Sequence, residues 1–185
     1  MKKFLLFITI FIVSAAAIFY FYLKNSTNTL LFDAVRQDNL SEVSDLINNG
    51  ADIEARDNAG QTPLHIAAYH GFTDIANFLI TKGAEIDSTD NREGTPLHWA
   101  AVNKNQDIII LLIKHGANLN KEDKFYMTPL IWAVSQGLTN NVKTLLENGA
   151  DPSYKNTQDK DAFYYAKRKN SAEIIDLLNQ YNQYQ

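Results

Sequence analysis

The chain repeats itself every 33 residues, and the period never slips. Thr62-Pro63-Leu64-His65 recurs as Thr95-Pro96-Leu97-His98 and, shortened, as Thr128-Pro129-Leu130. A Gly-Ala pair falls at Gly50-Ala51, Gly83-Ala84, Gly116-Ala117 and Gly149-Ala150, and one alanine recurs at Ala34, Ala67, Ala100, Ala133 and Ala166. Self-similarity at a fixed period means one supersecondary unit stacked on copies of itself, since a single unit cannot bury its apolar face alone. Such a stack bends the functional question towards binding rather than chemistry.

Within one period the residues specify helix, turn, helix and an extended finger. Thr62 is a good N-cap, and Pro63 sits at the first helical position, where its missing N–H costs nothing. Leu64, Ala67 and Ala68 follow at helical spacing, and Gly71 is a left-handed stop. A second helix runs from about Thr73, with Ile75, Ala76, Leu79 and Ile80 on one face. Gly83 closes it, and Ala84-Glu85-Ile86 leads to the turn Asp90-Asn91-Arg92-Glu93-Gly94. Three columns line up through the five copies: Val43, Ala76, Ile109, Val142, Ile175; then Leu46, Leu79, Leu112, Leu145, Leu178; then Ile47, Ile80, Ile113, Leu146 and Asn179. The small column lets helices approach, and the aliphatic columns fill the space between repeats.

These residues resemble the ankyrin repeat family, whose first helix opens Thr-Pro-Leu-His-x-Ala and whose second closes on Gly-Ala. The resemblance covers residues 29–185 and implies an all-α solenoid with repeats near 29–56, 57–89, 90–122, 123–155 and 156–185. The end copies depart from the pattern as caps, with Thr29-Leu30-Leu31-Phe32-Asp33-Ala34 at one end and a polar tail from Asn179 at the other. Inside a first helix, Ile131 replaces the motif histidine. Other departures fall at turns. Lys104 and Asn170 replace the glycine between helices, and Glu93 and Tyr126 replace the fingertip glycine seen at Gly60. Those turns are expected to be strained or differently shaped.

Ahead of the repeats, Lys2 and Lys3 precede twenty uncharged residues, Phe4 to Leu23, and Lys24 ends the run. At about 1.5 Å per residue a helix of that length spans roughly 30 Å, a hydrocarbon core. Residues 1–24 are therefore read as a transmembrane helix or signal anchor, joined to the repeats by a polar linker over 25–28. The competing reading is a signal peptide cleaved near Ala17, after the small residues Ala15-Ala16-Ala17. Cleavage there would leave Ile18-Phe19-Tyr20-Phe21-Tyr22-Leu23 as an apolar tail, so the length rule favours the anchor. Two lysines and the initiating amine before the span, against Lys24 and Arg36 after it, place the N-terminus in the cytoplasm and the repeats on the far side. Abundant Asn, Ile and Lys suggest a bacterial chain from an AT-rich genome.

Chemistry finds little support. Without Lys2, Lys3 and Lys24 the 17 basic residues fall to 14 against 21 acidic ones, a net charge of −7. Nucleic acid and anionic lipid are poor partners for such a domain. Zero cysteines exclude disulfides and thiolate metal sites. His65 and His98 are motif histidines, which in the resembled family bond the backbone of the neighbouring finger; His70 and His115 precede turn glycines. Asp57, Asp90 and Asp123 recur at 33 residues and are read as opening equivalent exposed fingers. No phosphate loop or nucleophile elbow is present. No enzyme activity, cofactor or metal is expected.

The resemblance implies that a protein partner is held by the fingertips and the exposed face of the first helices, which form a concave groove. On the inner repeats those positions are Asn58, Ala59, Gln61, Tyr69 and His70, then Asn91, Arg92, Val102 and Asn103, then Lys124, Phe125, Met127, Ser135 and Gln136. Phe125, Tyr126 and Met127 make one fingertip unusually apolar, which reads either as a binding anchor or as Phe125 folded onto its neighbour. Trp99 and Trp132 share a column with Ile66 and Tyr165 and are expected in the core, becoming hot spots only if a ring faces the groove.

Overall fold

This computed structural model of the chain describes residues 26–182. The apolar run of residues 4–23, with the anchor or signal peptide expected there, lies outside the described residues. Among those residues no helix is long and apolar enough to cross a membrane. The described chain is all-helical: α1 (residues 26–36), α2 (Leu40–Asn48), α3 (Pro63–His70), α4 (Thr73–Thr81), α5 (Pro96–Ala101), α6 (Gln106–Lys114), α7 (Pro129–Gln136), α8 (Thr139–Glu147), α9 (Ala162–Lys169) and α10 (Ala172–Asn182). Residues 26–28, assigned above to the linker, form the first turn of α1.

Two rows of helices result. The first helices α3, α5, α7 and α9 pack side by side, as do the second helices α2, α4, α6, α8 and α10. Leu79, Leu112, Leu145 and Leu178 are fully buried between the second-row helices, with Val43, Ala76, Ile109 and Val142 beside them. Ala34, Ala67, Ala100, Ala133 and Ala166 are also fully or almost fully buried, as close approach of the first-row helices requires. Asn179, which ends the third column, is exposed, so the last repeat presents a wet position where inner copies are aliphatic.

The motif histidines tie each first helix to the next finger. His65 Nε2 lies 3.0 Å from the Gly94 carbonyl, and Thr62 N donates to His65 Nδ1 at 3.1 Å. A carbonyl only accepts, so Nε2 carries the proton and the ring is neutral. His98 repeats the arrangement, with Nε2 on the Met127 carbonyl and Nδ1 accepting from Thr95 N. Burial, the dominant cause, pushes the His65 pKa down to about 4 and lowers that of His98. A base whose folded pKa lies below its unfolded value near 6.5 contributes full stability above pH 6.5 and loses it as pH falls towards 4, because the unfolded chain takes up the proton first. Between pH 7 and pH 5 His65 alone should cost about 2 kcal/mol. Urea unfolding of the wild type at both pH values should show that loss, and His65→Asn should lack it. An equal loss in the variant would assign the acid sensitivity elsewhere. Repeat four manages without the histidine: Thr128 Oγ1 caps Ile131 N at 3.3 Å.

The irregular turns resolve in two ways. At the fingertips Glu93, Tyr126 and Asp159 adopt the left-handed conformation of Gly60, with φ of 62°, 60° and 57°. Gly60 itself has no room for a side chain, since a Cβ there would lie 2.9 Å from the backbone nitrogen of Asn91. Between helices Asn170 likewise keeps the glycine geometry, at φ 56°. Lys104 does not, and the structure changes around it. Helix α5 stops at Ala101 after six residues, where α3 and α7 run for eight. In those two helices the carbonyls of Ala68 and Val134 accept from the N–H of Gly71 and Gly137. The matching carbonyl of Ala101 accepts instead from Asn141 Nδ2 of the next repeat, at 2.7 Å, and the Asn103 carbonyl accepts from the same nitrogen. Gln106 Nε2 donates to Asn141 Oδ1 at 2.8 Å. Asn141 is 1% exposed, where the matching positions of repeats two, three and five are the fully buried Ile75, Ile108 and Ile174 and that of repeat one is the exposed Glu42. A polar side chain is buried there because it is satisfied at both ends.

Candidate functional site

Each inner finger is closed by one acidic side chain. Asp90 Oδ1 accepts from the N–H of Arg92 at 2.8 Å and of Gly94 at 2.9 Å. Asp123 Oδ1 accepts from Phe125 and Met127, both at 2.9 Å, and Asp57 Oδ1 holds Ala59 and Gln61 in the same way. In the last finger Asn156 Oδ1 takes this part with Gln158 and Lys160, both at 3.0 Å. These aspartates differ from the exposed, equivalent set expected above: Asp90 and Asp123 are only 7% and 6% exposed. They are covered because their turns fold inward, onto the first helix of the same repeat.

Two tryptophans complete the arrangement. Trp99 Nε1 donates to Asp90 Oδ2 at 3.0 Å, and Trp132 Nε1 donates to Asp123 Oδ2 at 2.8 Å. The indole N–H needs an acceptor, and the carboxylate nine residues earlier supplies it, so the rings turn towards the groove and not into the core. Both rings are partly buried. Tyr69 lies edge-on to Trp99 at 5.5 Å between ring centroids, and Phe125 edge-on to Trp132 at 6.5 Å. The two indoles, Phe125, Arg92 and Gln136 line a mainly apolar cleft of about 260 Å³, with Asp90, Asp123 and His98 also in its wall. Asp57 pairs with Ile66 and Asn156 with Tyr165 at the matching positions, so the acid–indole couple belongs to the two central repeats.

Of the sequence candidates, the structure gathers Arg92, Phe125, Gln136 and Val102 at this cleft. Tyr69 is 45% exposed beside it, against Trp99. Met127 is not a surface anchor: it is 8% exposed, held by the Asp123 turn and by the bond from His98 to its carbonyl. Asn91 and Lys124 are exposed but lace neighbouring fingers. Asn91 Nδ2 donates to the Asn58 carbonyl at 3.1 Å, and Lys124 Nζ donates to the Asn91 carbonyl at 2.7 Å. Asn103 donates to the Tyr69 carbonyl and shapes the reorganised turn. Ser135 Oγ is spent on the Trp132 carbonyl, and His70 stacks on Phe72 at 5.2 Å. Asn58 and Gln61 stand on the second finger and do not line the cleft. Phe125 is 54% exposed, so its edge contact with Trp132 leaves over half of the side chain open to a partner.

A family profile described as Ankyrin repeats (3 copies) matches residues 11–90, 30–123, 85–156 and 118–185. The human protein phosphatase 1 regulatory subunit 27 is 53% identical over 49 residues, which is 26% of this chain and 32% of that one. The ankyrin repeat domain-containing protein 49 of Drosophila melanogaster is 40% identical over 57 residues, 30% of this chain and 26% of that one. The chain thus spans about a third or less of the curated relatives it matches. Both are animal proteins and lend no support to the bacterial source suggested by composition.

Proposed function

We propose, from the premise that this chain belongs to the ankyrin repeat family, that it captures a protein partner in its concave groove and does so as a tethered module. Ankyrin repeats are protein–protein interaction modules, and a phosphatase regulatory subunit among the relatives fits a protein partner in general terms. The observation that carries the groove reading is the central cleft. Phe125 and Tyr69, each about half exposed, flank two partly buried indoles, and a concave aromatic patch with polar neighbours is the composition of an interface core.

The tether is proposed from residues 4–23, long and apolar enough to span a bilayer, with the repeats on the extracytoplasmic side. Secretion after cleavage near Ala17 is the rival, favoured by the small residues there. One experiment addresses both. The full-length chain is recovered from carbonate-washed membranes, its mass measured, and the same preparation used to capture partners. Intact mass in the washed membrane is expected; a soluble form starting near Ile18 would sink the anchor. Protease added to intact cells should reach the repeats; protection would reverse the orientation. Phe125→Ser with Tyr69→Ser should keep the melting temperature, both side chains being surface-exposed, and weaken capture by about 2 kcal/mol or more. Equal recovery by wild type and variant would move the site away from the cleft.

A further inference from the structure

Asp90 and Asp123 are nearly buried carboxylates that form no ion pair among the described residues. Among the described residues the ion pairs are Arg36 with Asp33 and Asp57, Lys143 with Glu147, and Lys155 with Asp159. The second finger's aspartate therefore has a guanidinium at 3.3 Å, while those of the third and fourth fingers have only N–H donors. Among the described residues the cation–ring pairs sit on Phe32, Phe78 and Tyr164, and none on Trp99 or Trp132. His98, the titratable base in the cleft wall, is kept neutral by burial, with its Nδ1 accepting from Thr95 N. Arg92 lines the cleft but forms neither an ion pair nor a ring contact among the described residues. Two carboxylates thus stand at the N–H edges of two indoles, the ring type with the strongest attraction for cations.

We propose that this cleft receives a lysine side chain of the partner protein, its ammonium drawn against the Trp99 and Trp132 rings by the charge of Asp90 and Asp123. The inference rests on the groove being the binding face and adds the chemistry of the anchor. Lysine fits better than arginine. Each carboxylate already accepts three N–H bonds, on both of its oxygens, so no free edge remains for a bidentate guanidinium. A compact point charge on a flexible apolar stem needs no such edge, and its methylenes suit a mainly apolar cleft. The excess of acidic residues in the repeats favours a basic partner at longer range.

The chain has two tryptophans, and both line the cleft, so its intrinsic indole emission reports on this site alone. The full chain in detergent is titrated with capped Ala-Lys-Ala and, in parallel, with the same peptide carrying norleucine, acetyl-lysine or glutamate in place of lysine. The lysine peptide should give a saturable change in emission, weaken as salt is raised, and bind about tenfold more tightly than the norleucine peptide. Acetyl-lysine and glutamate peptides should give no saturable change. Arg92→Ala, which removes a competing cation from an exposed position, should tighten the lysine peptide several-fold. Asp123→Asn should weaken it about tenfold; Asn156 shows that asparagine closes the same turn, and melting temperature checks the fold. Norleucine binding as tightly as lysine would overturn the lysine anchor while leaving an apolar binding groove. No saturable change with any peptide would also overturn it, and the Phe125 and Tyr69 variants would then judge the groove independently.

Discussion

Leu112→Ala is expected to lower the stability of the repeats by about 2 to 5 kcal/mol, the largest effect of any single truncation considered. Leu112 is fully buried in α6, in the column it shares with Leu79 and Leu145 from the repeats on either side. In a solenoid each repeat is stabilised by its neighbours, so a cavity in the middle weakens two interfaces at once. Domains of this size hold only about 5 to 15 kcal/mol in total, and the loss should appear as a clear fall in both the urea midpoint and the melting temperature. Leu46→Ala, in the same column of the first repeat but only partly buried, should cost less. Equal effects at the two sites would mean that the stack does not transmit burial as the columns imply.

Asn141→Ile should cost about 2 to 4 kcal/mol, even though it restores the aliphatic column of Ile75, Ile108 and Ile174. The gain in apolar burial is outweighed because the carbonyls of Ala101 and Asn103 lose their donor inside the stack. The decisive comparison is a double-mutant cycle. Lys104→Gly should let α5 end on a left-handed glycine as α3 and α7 do, which gives the Ala101 carbonyl a backbone partner. In that background Asn141→Ile should cost at least about 1 kcal/mol less than alone, since residues sharing a hydrogen-bond network are not additive. Strict additivity in chemical denaturation would show that the two substitutions are unrelated.

Lys104 and Asn141 also mark where reading the sequence stopped short. That Lys104 departs from the glycine column is visible in the chain, and so is an asparagine where repeats two, three and five carry isoleucine. Their connection is not, because they lie in different repeats, Lys104 in the turn between α5 and α6 and Asn141 on α8. Only packing reveals that a helix cut short in one repeat exposes a carbonyl beside a side chain of the next. The fingers behave in the same manner. Recurrent aspartates and recurrent tryptophans are legible 33 residues apart, and their nine-residue offset could have been noticed. What it means depends on how far the finger folds back onto its own first helix.

While the groove was an expectation carried by the family resemblance, the sequence by itself determined the repeat, the two helices and finger of each copy, and the buried alanine and leucine columns. Those follow from period and polarity, which local chemistry and nearest-neighbour stacking enforce. Tertiary structure decided the fate of individual polar and aromatic groups. Met127, apolar and at a fingertip, went inside because its backbone is held between the Asp123 turn and His98. Trp99 and Trp132, expected in the core, turned to the groove because an indole N–H must find an acceptor and the finger's carboxylate was within reach. Hydrogen-bond satisfaction depends on which groups meet in space, and a periodic pattern fixes neighbours without fixing which donor finds which acceptor.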